Sequence, residues 1–229
     1  ASHQIDAASL KQFTYGNGLT HTMVQNARQL PLASTDSGGA LSQQYAYDAN
    51  GNMLTGAGRS VTWTSFDMPA SITQGVATDT FLYDAHHERF KKTGPDGTTI
   101  YLSPRLDTGT HYEKVTSGTL VSHKHYIYAG NRPIAIYTQR STNVNDTRYL
   151  HADNLGSITA ITNETGAVVE RLSYDPFGKR RNPNGSDATT ALTSTQLRHG
   201  YTEHEHLDEV GLIHMNGRVY DPTLGRFAS

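Results

Sequence analysis

Apolar and polar residues alternate over short stretches of this chain, and each stretch stops at a turn. Val61-Thr62-Trp63-Thr64 and Tyr126-Ile127-Tyr128 show the alternation most clearly. A period of two puts successive side chains on opposite faces of a strand. The pattern predicts strands over 119–128 and 133–139 as a hairpin, then over 148–151, 156–162 and 167–174. Between them stand turn formers: Gly16-Asn17-Gly18, Gly38-Gly39, Asn50-Gly51, Gly94-Pro95-Asp96-Gly97, Ser117-Gly118, Gly130-Asn131 and Asn163-Glu164-Thr165-Gly166. Asn and Gly accept the positive φ of hairpin turns, and Pro presets the φ of a turn's second position. No segment carries an i, i+3, i+4, i+7 apolar stripe. The best helical candidates, 190–198 and 207–210, are both short. Residues 180–195 read as a long loop.

Composition strengthens the all-β reading. Charged residues are 17%, against about 25% in a typical globular chain. Gly (21), Tyr (13), Thr, Ser and Asn make up the difference. No apolar run reaches the roughly 18–20 residues of a membrane helix. A formal net charge of -2 argues against a nucleic-acid partner. The nearest basic cluster, Lys179-Arg180-Arg181, reads as a solvated loop tip. With no cysteine there is no disulfide framework and no Cys-based zinc site. The first residues do not read as a signal peptide, which says nothing of the parent protein if Ala-Ser at both ends marks an excised piece, as it reads.

One pair recurs: Tyr47-Asp48, Tyr83-Asp84, Tyr174-Asp175 and Tyr220-Asp221, each followed by turn chemistry. A Tyr at a strand end supplies a large ring and one hydroxyl. The Asp after it can accept a backbone N–H two residues on and close an Asx turn. The pair therefore anchors and turns a hairpin without catalysis. Repeated along a Tyr/Thr-rich chain, it resembles the YD repeats of the Rhs family. Arg148-Tyr149-Leu150-His151-Ala152-Asp153-Asn154-Leu155-Gly156-Ser157 resembles the opening of the Rhs repeat-associated core. Ser173-Tyr174-Asp175-Pro176-Phe177-Gly178 resembles its central turn. Gly200-Tyr201-Thr202, Gly211-Leu212 and Asn216-Gly217-Arg218-Val219-Tyr220-Asp221-Pro222-Thr223-Leu224-Gly225-Arg226-Phe227 resemble its ending. On this basis residues 1–147 read as degenerate YD repeats, and 148–229 as a core-like region continuous with them.

The resemblance implies an antiparallel hairpin sheet that curves and spirals as part of a β-shell, with little helix. It implies a structural role in a bacterial Rhs-type toxin or effector, enclosing or delivering a C-terminal toxin domain. The expected partners are the rest of the parent protein and that toxin, and the parent is expected to be secreted or at the cell surface. Related repeats serve animal cell adhesion in teneurins. The family commonly continues after Gly-Arg-Phe with Leu-Ser and Asp-Pro, where this chain has Ala228-Ser229. The later Asp-Pro-x-Gly-Leu self-cleavage motif is absent, and Asp175-Pro176 and Asp221-Pro222 belong to turns. The chain is therefore expected not to be an enzyme, with any aspartyl-type autoproteolysis downstream of Ser229. Family members often carry Gly where Glu203 stands. So short a piece is expected to leave its inner face uncovered, with an exposed edge strand that invites self-association.

Other constellations carry alternatives. Trp63, Phe66, Tyr126 and Tyr128 could form an aromatic platform for a cell-surface glycan or protein, although packing between repeats explains them as well. His204 and His206, with His199 and His214, could approach a metal, but a structural reading is favoured and no cofactor or metal is expected. His86-His87 would point to opposite faces if extended, and His123 and His125 to one face. Glu203, Glu205, Asp208 and Glu209 read as a solvated acidic face rather than a catalytic pair. No nucleophile elbow or phosphate loop is present. Gly56-Ala57-Gly58 reads as a turn.

Overall fold

Hairpins follow one another along the wall because turn chemistry recurs after four to ten extended residues in each of its strands. The computed structural model describes residues 3–6, 9–39, 41–102, 111–188, 190 and 192–229. Strands β1 to β9 are His3–Asp6, Ser9–Thr14, Thr20–Gln25, Pro31–Asp36, Ser42–Tyr47, Met53–Gly56, Arg59–Trp63, Pro69–Gln74 and Ala77–Tyr83. Strands β10 to β17 are Arg89–Gly94, Gly97–Leu102, His111–Ser117, Leu120–Ala129, Arg132–Arg140, Asp146–Ala152, Ile158–Thr162 and Val168–Arg171. Each of these strands pairs antiparallel with the next in sequence, which makes a 17-stranded wall. The short pair β18 (Ser173–Tyr174) and β19 (Arg180–Arg181) follows. Strands β20 to β23 are Glu205–Leu207, Leu212–Met215, Arg218–Asp221 and Arg226–Phe227, a second, four-stranded sheet.

Six of the turns share one construction. Asn26, Asp48, Asp84, Asp153, Asn163 and Asp175 each accept the backbone N–H groups of residues i+2 and i+4 on one side-chain oxygen, at 2.8 to 3.1 Å. Position i+3 takes a positive φ, as at Gly51 (97°) and His87 (63°). Only three of the six follow a Tyr. The Asp or Asn therefore makes the turn, and the Tyr adds packing.

Alternation divides the wall into two faces. On the outer face, hydroxyls pair across strands: Thr62 with Ser71 (2.7 Å), Thr73 with Thr78 (2.9 Å) and Thr93 with Thr98 (3.3 Å). The inner face of β5 to β9 carries Tyr45, Val61, Ile72 and Phe81. The inner face is covered, contrary to the sequence expectation. Leu207, Val210, Leu212, Val219 and Ala228 pack on that apolar row. Leu197 packs on Tyr126, Ile136, Leu150, Ile158 and Ile161. Fully burying one such aliphatic side chain contributes about 1.5–3 kcal/mol, so the C-terminal segment is a large part of the core.

This coverage requires the wall to curl. Thr202 N–H donates to Ser157 Oγ (3.2 Å), next to β16, and three residues on Glu205 is held by Arg89 of β10. A flat sheet would set β10 and β16 six strand spacings apart, roughly 29 Å at about 4.8 Å each. Residues 202–205 span at most about 11 Å. The right-handed twist of strands supplies the curl.

Two helical expectations fail. Leu207 ends β20, and 208–211 form its turn into β21. The described residues of 190–198 are irregular, held where Glu170 accepts from Ser194 Oγ (2.7 Å) and Thr195 N–H (3.0 Å). Ala191 of that segment, and Ala1-Ser2, lie outside the described residues. The one helical element among the described residues is a 3-10 turn, Tyr201–Glu203.

Gly97 tests the packing of neighbouring strands. A Cβ there would lie 2.0 Å from the Thr116 carbonyl oxygen, and its φ is +119°. Gly97→Ala is expected to cost at least about 2 kcal/mol. Gly217→Ala, in open space, should stay within about 0.5 kcal/mol. Urea unfolding midpoints compare the two.

Candidate functional site: the seam between wall and C-terminal sheet

Inward-pointing positions of the wall are not all apolar. Arg59, Asp79, Arg89, Lys92 and Glu113 point in, and Arg59, Asp79, Lys92 and Glu113 are buried. A buried charge needs a partner, and the C-terminal segment provides two sets to these wall residues and builds a third beside them.

In the first, Asp221 Oδ2 meets Arg59 Nη1 at 2.6 Å, with side chains 1% and 5% exposed. Arg59 also donates to the Val210 (2.6 Å) and Gly211 (3.3 Å) carbonyl oxygens. In the second, Glu205 is bound by Arg89, by Lys92 Nζ (2.9 Å) and by the Tyr101 hydroxyl (2.9 Å). Burial pushes the Glu205 carboxyl up, but Arg89 and Lys92 outweigh it and hold the group well below the usual range. In the third, Asp208 takes Arg180 Nε (3.1 Å) and Arg198 Nη1 (3.3 Å), and Arg198 also pairs with Asp96 and with Glu209 (2.6 Å). Burial pushes Asp208 up and the two arginines only partly pull it back. Asp79, 1% exposed, is pushed up to about 6 by burial, with Lys92 opposing and Glu209 and Glu205 adding.

Two sequence expectations are corrected here. Glu205, Asp208 and Glu209 are not a solvated face, because Glu205 and Asp208 are buried among guanidinium groups and Glu209 is paired with Arg198. Arg180 is not at a loop tip. It is 7% exposed, and its guanidinium lies 5.8 Å from the Tyr174 ring centre.

A cavity of about 300 Å³ lies in the seam, walled by Tyr101, Tyr126 and Tyr128 together with Arg89, Glu203 and His214. Its rim includes the β9–β10 turn at His87 and the β21–β22 turn at Asn216-Gly217. Thr202 (φ 47°) and Glu203 (φ 64°) hold the left-handed backbone that a glycine prefers. Their turn is fixed by Thr202 N–H on Ser157 Oγ and Tyr201 N–H on His206 Nε2 (3.1 Å). Burial pushes the Glu203 carboxyl up, with Arg132 opposing.

The histidines are scattered in role. Burial holds His206 and His214 well below the usual imidazole range and lowers His204. His199 faces Tyr126 and Glu113. Among the described residues no group of three or more His, Asp or Glu is arranged to hold a metal. His86 and His87 lie in a turn, where His87 stacks on Phe66 at 4.0 Å. His123 and His125 share a face of β13 with Tyr112 of β12.

The four aromatics of the proposed platform are divided. Trp63 packs on the first apolar cluster and donates to the Met53 carbonyl (3.0 Å). Phe66 meets Tyr83 edge-on. Tyr126 and Tyr128 belong to the second cluster. The motif residues take structural places. Tyr47 packs on the core, while Tyr83 and Tyr174 donate to the Pro69 (2.9 Å) and Ile158 (3.0 Å) carbonyls. The Glu88 N–H on Asp84 keeps that carboxyl below its usual range. The Pro176 carbonyl accepts from Tyr201 Oη, and Gly178 lies so near the Tyr201 ring that a Cβ would come within 2.5 Å. Gly217 sits in the β21–β22 turn, and Arg218 stacks on Phe227, whose edge meets Tyr220. Pro222 is buried, Gly225 sits under Phe177, and Arg226 faces Asp221 across β22–β23. Asp221 departs from the other turns. It accepts at i+2 and i+3, from Thr223 (2.8 Å) and Leu224 (3.2 Å), and turns its second oxygen on Arg59.

Comparison with known proteins agrees with this architecture. No helix among the described residues is long and apolar enough to cross a membrane. The chain is 25% identical over 190 residues to the tRNA3(Ser)-specific nuclease WapA of Bacillus spizizenii, and 27% identical over 190 residues to the tRNA nuclease WapA of Bacillus subtilis. Each match takes in 82% of this chain and 8% of the relative's length. Among solved structures, the crystal structure of TcdB2-TccC3 superposes with a TM-score of 0.62 at 14% identity, over 92% of this chain and 12% of that one. A Photorhabdus luminescens Tc holotoxin pore gives 0.60 at 13%, with the same coverage. At that identity the likeness is one of fold. The profile of the Teneurin YD-shell family matches residues 111–229, just over half of the chain, and the chain belongs to that family.

Proposed function

We propose that this chain is part of the wall of a toxin-carrying β-shell and adds no catalytic group of its own. One observation carries the reading. Four inward cations along the seam are engaged in holding the C-terminal sheet: Arg59 with Asp221, Arg89 and Lys92 with Glu205, Arg180 with Asp208. Such pairs fix a docking register rather than activate a substrate. The WapA relatives are named as tRNA nucleases. In this proposal an activity of that kind belongs to another region of the parent, and this chain encloses or delivers it. The parent is then secreted or displayed at the surface of a bacterium.

The test uses the parent reading frame, expressed from residue 1 through Ser229 to its natural end. Gel filtration and intact mass follow the products. A C-terminal piece that is severed and still co-elutes with the shell is the expected result. A single uncleaved species, or a severed piece that elutes alone, overturns the enclosure.

A further inference from the structure

Beneath the strap of residues 194–197 the wall presents more positive charge than it neutralises. Lys124 shares the inward face of β13 with Ser122 and Tyr126. In the strand register Lys124 stands opposite Thr138 of β14, and Thr138 stands opposite Asp146 of β15. Arg140 and Arg148 both close on that Asp146, at 3.0 Å from Oδ1 and 2.7 Å from Oδ2. One carboxylate thus serves two guanidinium groups. Lys124 lies two strand spacings from it, about 9.6 Å, and has no ion-pair or hydrogen-bond partner among the described residues. The nearby acids are committed elsewhere. Glu113, opposite Lys124 on β12, turns to Tyr126 and His199. Glu170 accepts from Ser194 Oγ and Thr195 N–H. Lys124, Arg140, Arg148 and Asp146 line one cavity of about 190 Å³ between β13–β15 and the strap. Asp146 Oδ1 adds a second irregularity: it is buried, and Arg140 Nη1 approaches it without the alignment of a hydrogen bond. The cavity therefore combines surplus cationic donors with one acceptor that lacks a donor.

We infer that this cavity binds one phosphate ion as the monohydrogen dianion. Two negative charges balance the excess that Asp146 leaves on Lys124, Arg140 and Arg148. Thr138, buried midway between Lys124 and Asp146, adds a hydroxyl. Arginine forks match the oxygens of phosphate. Both guanidinium groups keep N–H donors beyond those spent on Asp146, on Gln196 Oε1 and on the Val144 and Thr147 carbonyls. The single O–H of monohydrogen phosphate gives Asp146 Oδ1 the donor it lacks. Sulfate has no proton to give and would set an oxygen against that carboxylate, so the site selects phosphate. Size agrees as well. The volume is below the roughly 300 Å³ at which pockets for drug-sized ligands begin, which suits a small ion. The Arg140 and Arg148 side chains are 28% and 22% exposed, so the ion enters from solvent. The site shares only Leu150 and Leu197 with the seam cavity and does not depend on the toxin-shell reading.

The test is calorimetric titration of the whole chain with sodium phosphate at about pH 8, with thermal unfolding followed in parallel. Sodium sulfate, phenyl phosphate and sodium chloride at matched ionic strength are the other arms. Saturable binding of phosphate is expected, with a Kd below about 1 mM and a Tm that phosphate raises and chloride does not. Sulfate should bind at least tenfold more weakly. Phenyl phosphate bound as tightly as phosphate identifies a phosphoryl group on a larger molecule as the source, and weaker binding identifies the free ion. Lys124→Met should weaken phosphate binding at least tenfold. In phosphate-free buffer it should leave Tm unchanged or raise it, because it removes a cation that has no partner among the described residues. Asp146→Asn replaces an acceptor by an amide that can donate to sulfate, so the preference for phosphate should fall at least tenfold. No saturable binding at about 10 mM phosphate overturns the inference, as does binding that Lys124→Met leaves intact, a Tm response that chloride reproduces, or equal affinity for sulfate.

Discussion

Asp221→Ala is expected to destabilise the protein by about 3–5 kcal/mol, the range for removing one partner of a buried ion pair. The cause is what stays behind. Arg59, 5% exposed at its side chain, would keep only the Val210 and Gly211 carbonyls. The N–H groups of Thr223 and Leu224 would lose their acceptor as well. Asp48→Ala is the comparison, because Asp48 makes a turn but has no guanidinium partner among its bonds. Its loss should cost about 0.5–2 kcal/mol, by analogy with a capping side chain. Denaturant unfolding separates the two. Equal effects would mean that Asp221 is only another turn residue. Arg59→Met combined with Asp221→Leu should recover part of the loss, since an apolar pair of similar volume removes the stranded charge.

Glu205→Gln is expected to cost a similar 3–5 kcal/mol, because it leaves Arg89 and Lys92 buried without a counter-charge. Its pH dependence identifies the mechanism. Arg89 and Lys92 hold the folded-state pKa of Glu205 well below the usual carboxylate range. Its contribution is therefore present above about pH 4.5 and is lost as the pH falls toward the folded value. The gap between wild type and variant should hold from pH 8 to about 6.5. Below about pH 4.5 it should close by about 1.4 kcal/mol per pH unit. Asp79, at about 6 and within the field of Glu205, modifies the gap between those limits. A gap that stays constant down to pH 3 would remove the ionic explanation.

The seam was hard to read from sequence for a physical reason. Turn chemistry is local: Asp48 and its acceptor geometry lie within four residues, so the hairpins of 119–174 could be placed within two or three residues of their observed bounds. Arg89 lies 116 residues from Glu205 and Arg59 lies 162 from Asp221, where no periodicity reaches. Acidic residues at 203–209 therefore looked like a solvated face. One signal was available. Arg59 shares the inward phase of its strand with Val61, and Lys92 is paired opposite Phe81. A cation in an apolar phase asks for a distant anion. The coverage of the inner face had a similar sign in Leu207, Leu212 and Ile213, apolar positions that are buried on both sides of a short strand pair. The resemblance to YD repeats supplied the architecture but not the seam.

The separation between Arg59 and Asp221 also sets an order of events. During synthesis the wall strands leave the ribosome long before residues 205–228 exist, and closing so long a loop is slow. Through that interval the apolar row of Val61, Ile72 and Phe81 stands open to water. Arg59, Arg89 and Lys92 stand beside it without Asp221 and Glu205, and Asp79 is the wall's own counter-charge to Lys92. Charges left open beside an apolar row disfavour its pairing with a second such row, so an unfinished wall is expected to be guarded by the residues that later anchor the C-terminal sheet.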